Sequence, residues 1–106
     1  ETLVGRGFAV YMPQNPYRGD FRTFSRLAHP LGLTIFSFIR AQYQASLDWL
    51  EKHPEIDASR IGFYGLSYGG KTALRIPPLD PRFRVVVCAG DFNEWIRKLV
   101  DPTLPY

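Results

Sequence analysis

The sequence is poor in cysteine, in long apolar runs and in clustered basic residues, and each shortage excludes a class of protein. Its single cysteine, Cys88, cannot build a disulfide framework within the chain. No apolar run approaches the roughly 20 residues needed to cross a bilayer, and the charges behind the net charge of +3 are dispersed. We therefore expect no membrane span and no nucleic-acid partner. The first residues show no signal-like apolar stretch, which leaves the compartment open.

What the sequence does contain is the composition of a folded domain. Its 106 residues suffice for one small domain, and 45% apolar with 22% charged residues is ordinary for a globular protein. Aromatic residues reach 15%, which suits a well-filled core or a pocket for a flat or sugar-like ligand.

Three short apolar runs, at residues 8–12, 61–64 and 85–89, predict β-strands. None alternates cleanly between polar and apolar residues, which is typical of parallel strands buried on both faces. Cys88 falls in the third run, so we interpret it as a small buried apolar residue.

Helical patterns connect and follow these runs. Apolar residues at spacings of three and four predict a helix over 35–52 that ends near His53, because Pro54 follows. Shorter helices are predicted over 68–76, before a proline pair, and over 93–100. The apolar stripe of the longest helix consists of Phe36, Ile39, Tyr43, Leu47 and Leu50.

The order strand, helix, strand, helix, strand predicts an α/β fold whose parallel strands are joined by right-handed crossovers. Residues 1–7 have the pattern of a helix end that stops at Gly5 or Gly7. A helix and a strand are therefore expected before them, and residues 1–106 are expected to form one domain, incomplete at both ends.

One motif carries chemistry. Gly65-Leu66-Ser67-Tyr68-Gly69 has the form G-x-S-x-G and stands between a predicted strand and a predicted helix. This is the setting of a nucleophile elbow, a sharp turn in which the serine backbone is strained, with φ above zero, and the hydroxyl is accessible. Both glycines are expected to leave room where strand and helix approach closely. The Tyr68 N–H opens the helix and is expected to donate to a developing oxyanion.

Two other interpretations of this segment stay open. One is a glycine-rich turn that happens to contain a serine. The other is a phosphate-binding loop, of which we expect only the ending, imitated by Gly70-Lys71-Thr72, and not the full spacing. The phosphate loop is disfavoured because Ser67 stands at the nucleophile position, within a stretch that such a loop fills with free backbone donors.

Residues 57–70, DASRIGFYGLSYGG, resemble the nucleophile region of dienelactone-hydrolase-like and acetyl-xylan-esterase-like serine esterases of the α/β-hydrolase superfamily. Residues 5–10 and 15–19 resemble the fourth strand and the following Arg-Gly loop of the same enzymes. The resemblance implies that the three predicted strands are the fourth, fifth and sixth of that fold, with Ser67 as the nucleophile.

A second resemblance concerns Lys71. In glucuronoyl esterases of plant cell-wall breakdown, Gly and Lys follow the nucleophilic serine as Gly70 and Lys71 follow Ser67. This resemblance implies that Lys71 contacts a sugar hydroxyl, although Leu66 and Tyr68 stand where those enzymes have Cys and Arg. The alternative is a solvated helix residue.

The sequence offers a candidate for the acid of the catalytic triad but none for its histidine. Enzymes of this superfamily order the triad as Ser, acid, His, whereas His29 and His53 both precede Ser67. We therefore expect the catalytic base outside these residues. Asp91 directly follows the third predicted strand and is the candidate acid, with a helix cap as the alternative. We interpret the other acidic residues of this half, Asp80, Glu94 and Asp101, as surface charges.

These patterns together predict part of a serine hydrolase, most simply an esterase that acts on a small-molecule or carbohydrate ester. No metal or cofactor is implied, and the 106 residues alone are expected to be inactive. Two alternatives stay open: a serine peptidase of the prolyl-oligopeptidase type, which shares the elbow, and a non-catalytic interaction domain with a hydrolase fold.

Overall fold

The computed structural model describes residues 2–16, 19–90, 100 and 103. No helix in this part of the chain is long and apolar enough to cross a membrane. The chain divides into two compact units, unit 1 (Glu1–Ile61) and unit 2 (Gly62–Tyr106). That residues 1–106 form one partial domain stays a prediction.

The helices and strands are α1 (Phe21–Ala28), α2 (Ile35–Leu50), β1 (Ile61–Leu66), α3 (Tyr68–Arg75) and β2 (Phe83–Ala89), with 3-10 turns at Val4–Arg6, His29–Leu31, Ala58–Arg60 and Pro77–Leu79.

In unit 1, α2 follows the predicted apolar stripe. Its start is fixed by a capping box in which Ser37 Oγ accepts from the Thr34 N–H at 3.1 Å. Ile39 and Leu47 of the stripe are buried, and charged residues of the opposite side are exposed. The helix ends at Leu50, three residues before the predicted end at His53.

Helix α1 was not predicted, although its start has a recognisable signal. Asp20 precedes it, and its Oδ1 accepts a hydrogen bond from the Thr23 N–H at 3.2 Å. Hydrogen bonds from Thr23 hold the pKa of Asp20 below its ordinary value. The helix packs on α2, where the rings of Phe24 and Phe38 meet edge to face with centroids 4.3 Å apart.

The predicted strand at residues 8–12 is wrong, because these residues are not in a strand. A strand needs a neighbour for its N–H and C=O groups, and no described segment pairs with this one. Phe8 and Met12 are 60% and 85% exposed, while the Tyr11 hydroxyl lies 3.2 Å from Ser46 Oγ in α2. The predicted glycine stop before it is confirmed, since Gly7 ends a 3-10 turn with a φ of 84°.

Unit 2 contains the sheet, in which β1 and β2 are parallel neighbours joined through α3. The mixed α/β architecture with parallel strands is therefore confirmed. Phe63 of β1 and Ala73 of α3 are buried, and the Phe63 and Phe83 rings pack at right angles with centroids 5.6 Å apart. Burial in β1 alternates, with Phe63 and Gly65 buried and Tyr64 and Leu66 exposed.

Burial of the strands on both faces is wrong for this structure. The exposed face of the sheet consists of Tyr64, Leu66, Val85 and Val87, at 65%, 61%, 61% and 45% exposure. Among the described residues of unit 2, α3 is the α-helix available to cover the sheet. It covers the opposite face incompletely, since Val86 there is also 42% exposed. Cys88 is half-buried rather than buried, with Sγ 3.5 Å from the Gly70 carbonyl oxygen.

Asp80 is also not the surface charge that was predicted. It is 9% exposed and accepts from Arg82 in a fork, Nε to Oδ1 at 2.9 Å and Nη2 to Oδ2 at 2.7 Å. This bidentate pair fixes the turn into β2. Glu94, Asp101 and all of the predicted helix 93–100 except Val100 lie outside the described residues.

Candidate active site

The turn from β1 to α3 consists of a single residue, Ser67, as the G-x-S-x-G pattern predicted. Its backbone has a φ of 56° and a ψ of −114°, and it is the one non-glycine residue with positive φ among those the structure describes. Ser67 is exposed. The predicted sharp turn, positive φ and accessible serine are therefore confirmed.

The two glycines of the motif differ. A Cβ at Gly65 would overlap the carbonyl carbon and oxygen of Gly69, so the strand can approach the helix here only without a side chain. A Cβ at Gly69 would meet no atom within 4 Å. The expected need for glycine is confirmed at Gly65 and wrong at Gly69, because the crowding is against the Gly69 backbone and not around its Cα.

The expectation that only the ending of a phosphate loop is present is wrong, since residues 65–72 read G-L-S-Y-G-G-K-T and have its full spacing. Such a loop needs a run of backbone amides that is neither strand nor helix, to wrap around a phosphate. Here Gly65 belongs to β1 and Gly70 to α3, which leaves Ser67 as the only residue between the two elements. The structure forms an elbow at this position and not a phosphate cradle.

Tyr68 and Lys71 form the first turn of α3, next to the elbow. The Tyr68 amide is the first of the helix, where the positive end of the helix dipole favours negative charge. Both side chains are half-buried, and Lys71 Nζ lies 5.7 Å from the centroid of the Tyr68 ring, within the range of a cation–π contact. The alternative interpretation of Lys71 as a solvated helix residue is therefore incomplete, because its ammonium lies over an aromatic ring. The predicted sugar contact of Lys71 stays a prediction.

The predicted acid, Asp91, lies outside the described residues. The two histidines belong to unit 1, whereas Ser67 belongs to unit 2. His29 begins a 3-10 turn and is exposed, and His53 packs its ring 5.1 Å from that of Trp49. His29 thus lies in the turn that follows α1, and His53 makes an aromatic contact at the end of α2. Among the described residues, no group of three or more His, Cys, Asp or Glu side chains is placed to hold a metal ion.

Sequence analysis missed one part of the site, the end of β2. The Ala89 carbonyl oxygen accepts from the Ser67 N–H at 2.8 Å, and the next residue, Gly90, has a φ of 74°. A glycine directly after an apolar run, before the candidate Asp91, was the available signal.

Comparison of the chain with protein-family models, curated proteins and solved structures found no match.

Proposed function

We propose that this chain carries the nucleophile region of a serine hydrolase with an α/β-hydrolase fold, which acts on carboxylic esters. The observation that carries the proposal is the backbone of Ser67, with its φ of 56° and ψ of −114° between a strand and a helix. A non-glycine residue in such a sparsely populated conformation costs on the order of 1–3 kcal/mol, and such strain clusters at functional sites.

The ordinary structural role for a serine before a helix is capping, and Ser67 does not have it. A capping serine has an extended backbone and its hydroxyl accepts from an amide of the first turn. Ser67 has neither the extended backbone nor a side-chain capping hydrogen bond to α3. Because the residue is exposed and its hydroxyl makes no capping bond, Ser67 is better suited to a nucleophile than to an incidental serine in a glycine-rich turn.

In the proposed reaction, Ser67 Oγ bonds to the ester carbonyl carbon while its proton passes to a histidine base. The carbonyl oxygen becomes an oxyanion, toward which the Tyr68 N–H donates. The base then protonates the departing alcohol, and a water molecule that it deprotonates releases the acid from Ser67. Asp91 is the proposed acid partner. Because His29 and His53 precede Ser67, the base is proposed to come from polypeptide beyond these 106 residues.

The proposal is tested by labelling the full-length protein that contains these residues with a fluorophosphonate, which reacts with activated serines. Trypsin cleaves after Arg60 and Lys71, so the expected adduct lies in peptide 61–71, whose single serine is Ser67. Mass spectrometry of the digest identifies that peptide. An adduct on another serine, or none in a folded protein, would refute the assignment.

The substrate is proposed to be a carbohydrate-linked ester, with Lys71 in contact with its sugar. Lys71→Ala in the full-length protein should lower kcat/KM for a glucuronate ester about tenfold more than for an acetyl ester, since a hydrogen bond to a charged group is worth about 1.5–3 kcal/mol. The matched control is Lys52→Ala, which removes an exposed lysine of unit 1 and should affect neither substrate. Equal losses on both esters for Lys71→Ala would contradict the sugar contact.

A further inference from the structure

The backbone of Ser67 is held from two sides. Its N–H donates to the Ala89 carbonyl oxygen at 2.8 Å, and its carbonyl oxygen accepts from the Lys71 N–H at 3.1 Å. A residue keeps a sparsely populated conformation only where its surroundings impose it. The Lys71 bond belongs to the first turn of α3, whereas the Ala89 bond comes from a separate strand and depends on how that strand ends.

Gly90 determines how β2 ends. It follows Ala89 directly and turns the chain with a φ of 74°. A Cβ at Gly90 would lie 3.4 Å from Leu66 Cδ1 and 3.8 Å from the Ser67 nitrogen, so this turn lies against the elbow. The Ala89 carbonyl and the Gly90 N–H share one rigid peptide plane. The orientation of that plane depends on the ψ of Ala89 and the φ of Gly90 together, so we expect a change of φ at Gly90 to turn the oxygen that the Ser67 N–H binds.

We infer that Gly90 is a positioning residue for Ser67. Its left-handed conformation aims the Ala89 carbonyl at the Ser67 N–H and so holds the nucleophile in its strained turn. The role of Ser67 as nucleophile rests on the proposed function, whereas the anchoring is a property of the backbone alone. Alanine disfavours this positive φ, and asparagine tolerates it.

Amide hydrogen exchange by NMR on the full chain tests the anchoring directly. In Gly90→Ala, the Ser67 N–H should exchange about tenfold faster relative to the other amides of unit 2, because the left-handed conformation costs alanine a factor of about ten. Gly90→Asn should stay close to wild type. If Gly90→Ala does not fold, Gly90→Ser replaces it, because serine tolerates positive φ less well than asparagine. The Ser67 N–H should then exchange faster in Gly90→Ser than in Gly90→Asn.

The matched control is Gly32→Ala in unit 1. Gly32 has a φ of 68° and no atom within 4 Å of a built Cβ, so alanine meets the same backbone penalty there. Its thermal stability should fall about as much as that of Gly90→Ala, while the relative exchange of the Ser67 N–H stays unchanged. An equal change at Ser67 in both variants would reduce the effect to general destabilisation and overturn the inference.

Fluorophosphonate labelling of the full-length protein separates this inference from the proposed function. Gly90→Ala should slow labelling of Ser67 about tenfold, because the serine is no longer held in its strained turn. Gly90→Asn should restore the rate. Unchanged Ser67 exchange in Gly90→Ala would overturn the inference even where Ser67 labels normally. A wild-type protein that never labels would overturn the proposed function, and the exchange result would still decide the anchoring.

Discussion

Ser67→Ala in the full-length protein is expected to lower ester turnover by on the order of 10⁴-fold or more, because the residue proposed to form the bond to the carbonyl carbon is removed. The loss should appear in kcat, with the substrate still bound. Thermal stability should stay close to that of the wild type, since the residue is exposed and its hydroxyl makes no capping bond. Turnover of an aryl ester and thermal unfolding, measured on the same preparation, test both parts.

The control for this variant is a serine with no place in the elbow. Ser25 lies within α1, where alanine is a good helix former, so Ser25→Ala should keep full turnover. Hydrolysis that survives Ser67→Ala at the wild-type rate would assign the chemistry to another group. The elbow would then be a structural turn in a protein of different function.

Gly65→Ala is expected to have the largest effect on the fold. Its Cβ would overlap the Gly69 backbone, and backbone atoms of a strand and a helix cannot rotate out of the way as a side chain can. We expect a loss of about 3 kcal/mol or more in the free energy of unfolding. Ser67 labelling should fall with it, because the turn between β1 and α3 must open to admit the methyl group.

Gly69→Ala is the matched comparison, four residues along the same motif. Its Cβ would meet open space and its position is helical, so the free energy of unfolding should stay within about 1 kcal/mol of wild type, on the stabilising side. Chemical denaturation of both variants measures the difference. A Gly65→Ala protein as stable as Gly69→Ala would mean that strand and helix do not approach as closely as described.

Short-range patterns in the sequence determined most of what surrounds Ser67. The spacing of the apolar residues predicted α2, the proline pair predicted where α3 ends, and the apolar run before Gly65 predicted β1. The positive φ of Ser67 was predicted because Gly65 and Gly69 flank it in a tight turn between a predicted strand and a predicted helix. Each of these features depends on neighbours within a few residues, which the sequence displays directly.

Tertiary structure decided the features that depend on distant partners. Residues 8–12 have the composition of a strand but form none, since pairing requires a neighbouring strand and composition does not supply it. Asp80 is buried although its ion-pair partner Arg82 lies only two residues away, because burial depends on how the rest of the unit packs around this turn.

Packing between β1 and α3 also decided two features of the G-x-S-x-G motif. Gly65 needs to be glycine because the backbone of Gly69 lies against it, whereas Gly69 itself has space for a side chain. The sequence of residues 65–72 fits both an elbow and a phosphate loop, and the extent of β1 and α3 selects the elbow. The anchoring of Ser67 by Ala89 joins residues 22 positions apart through the pairing of two parallel strands. Backbone contacts of this kind depend on how the elements pack in three dimensions, and short-range sequence patterns do not predict that packing.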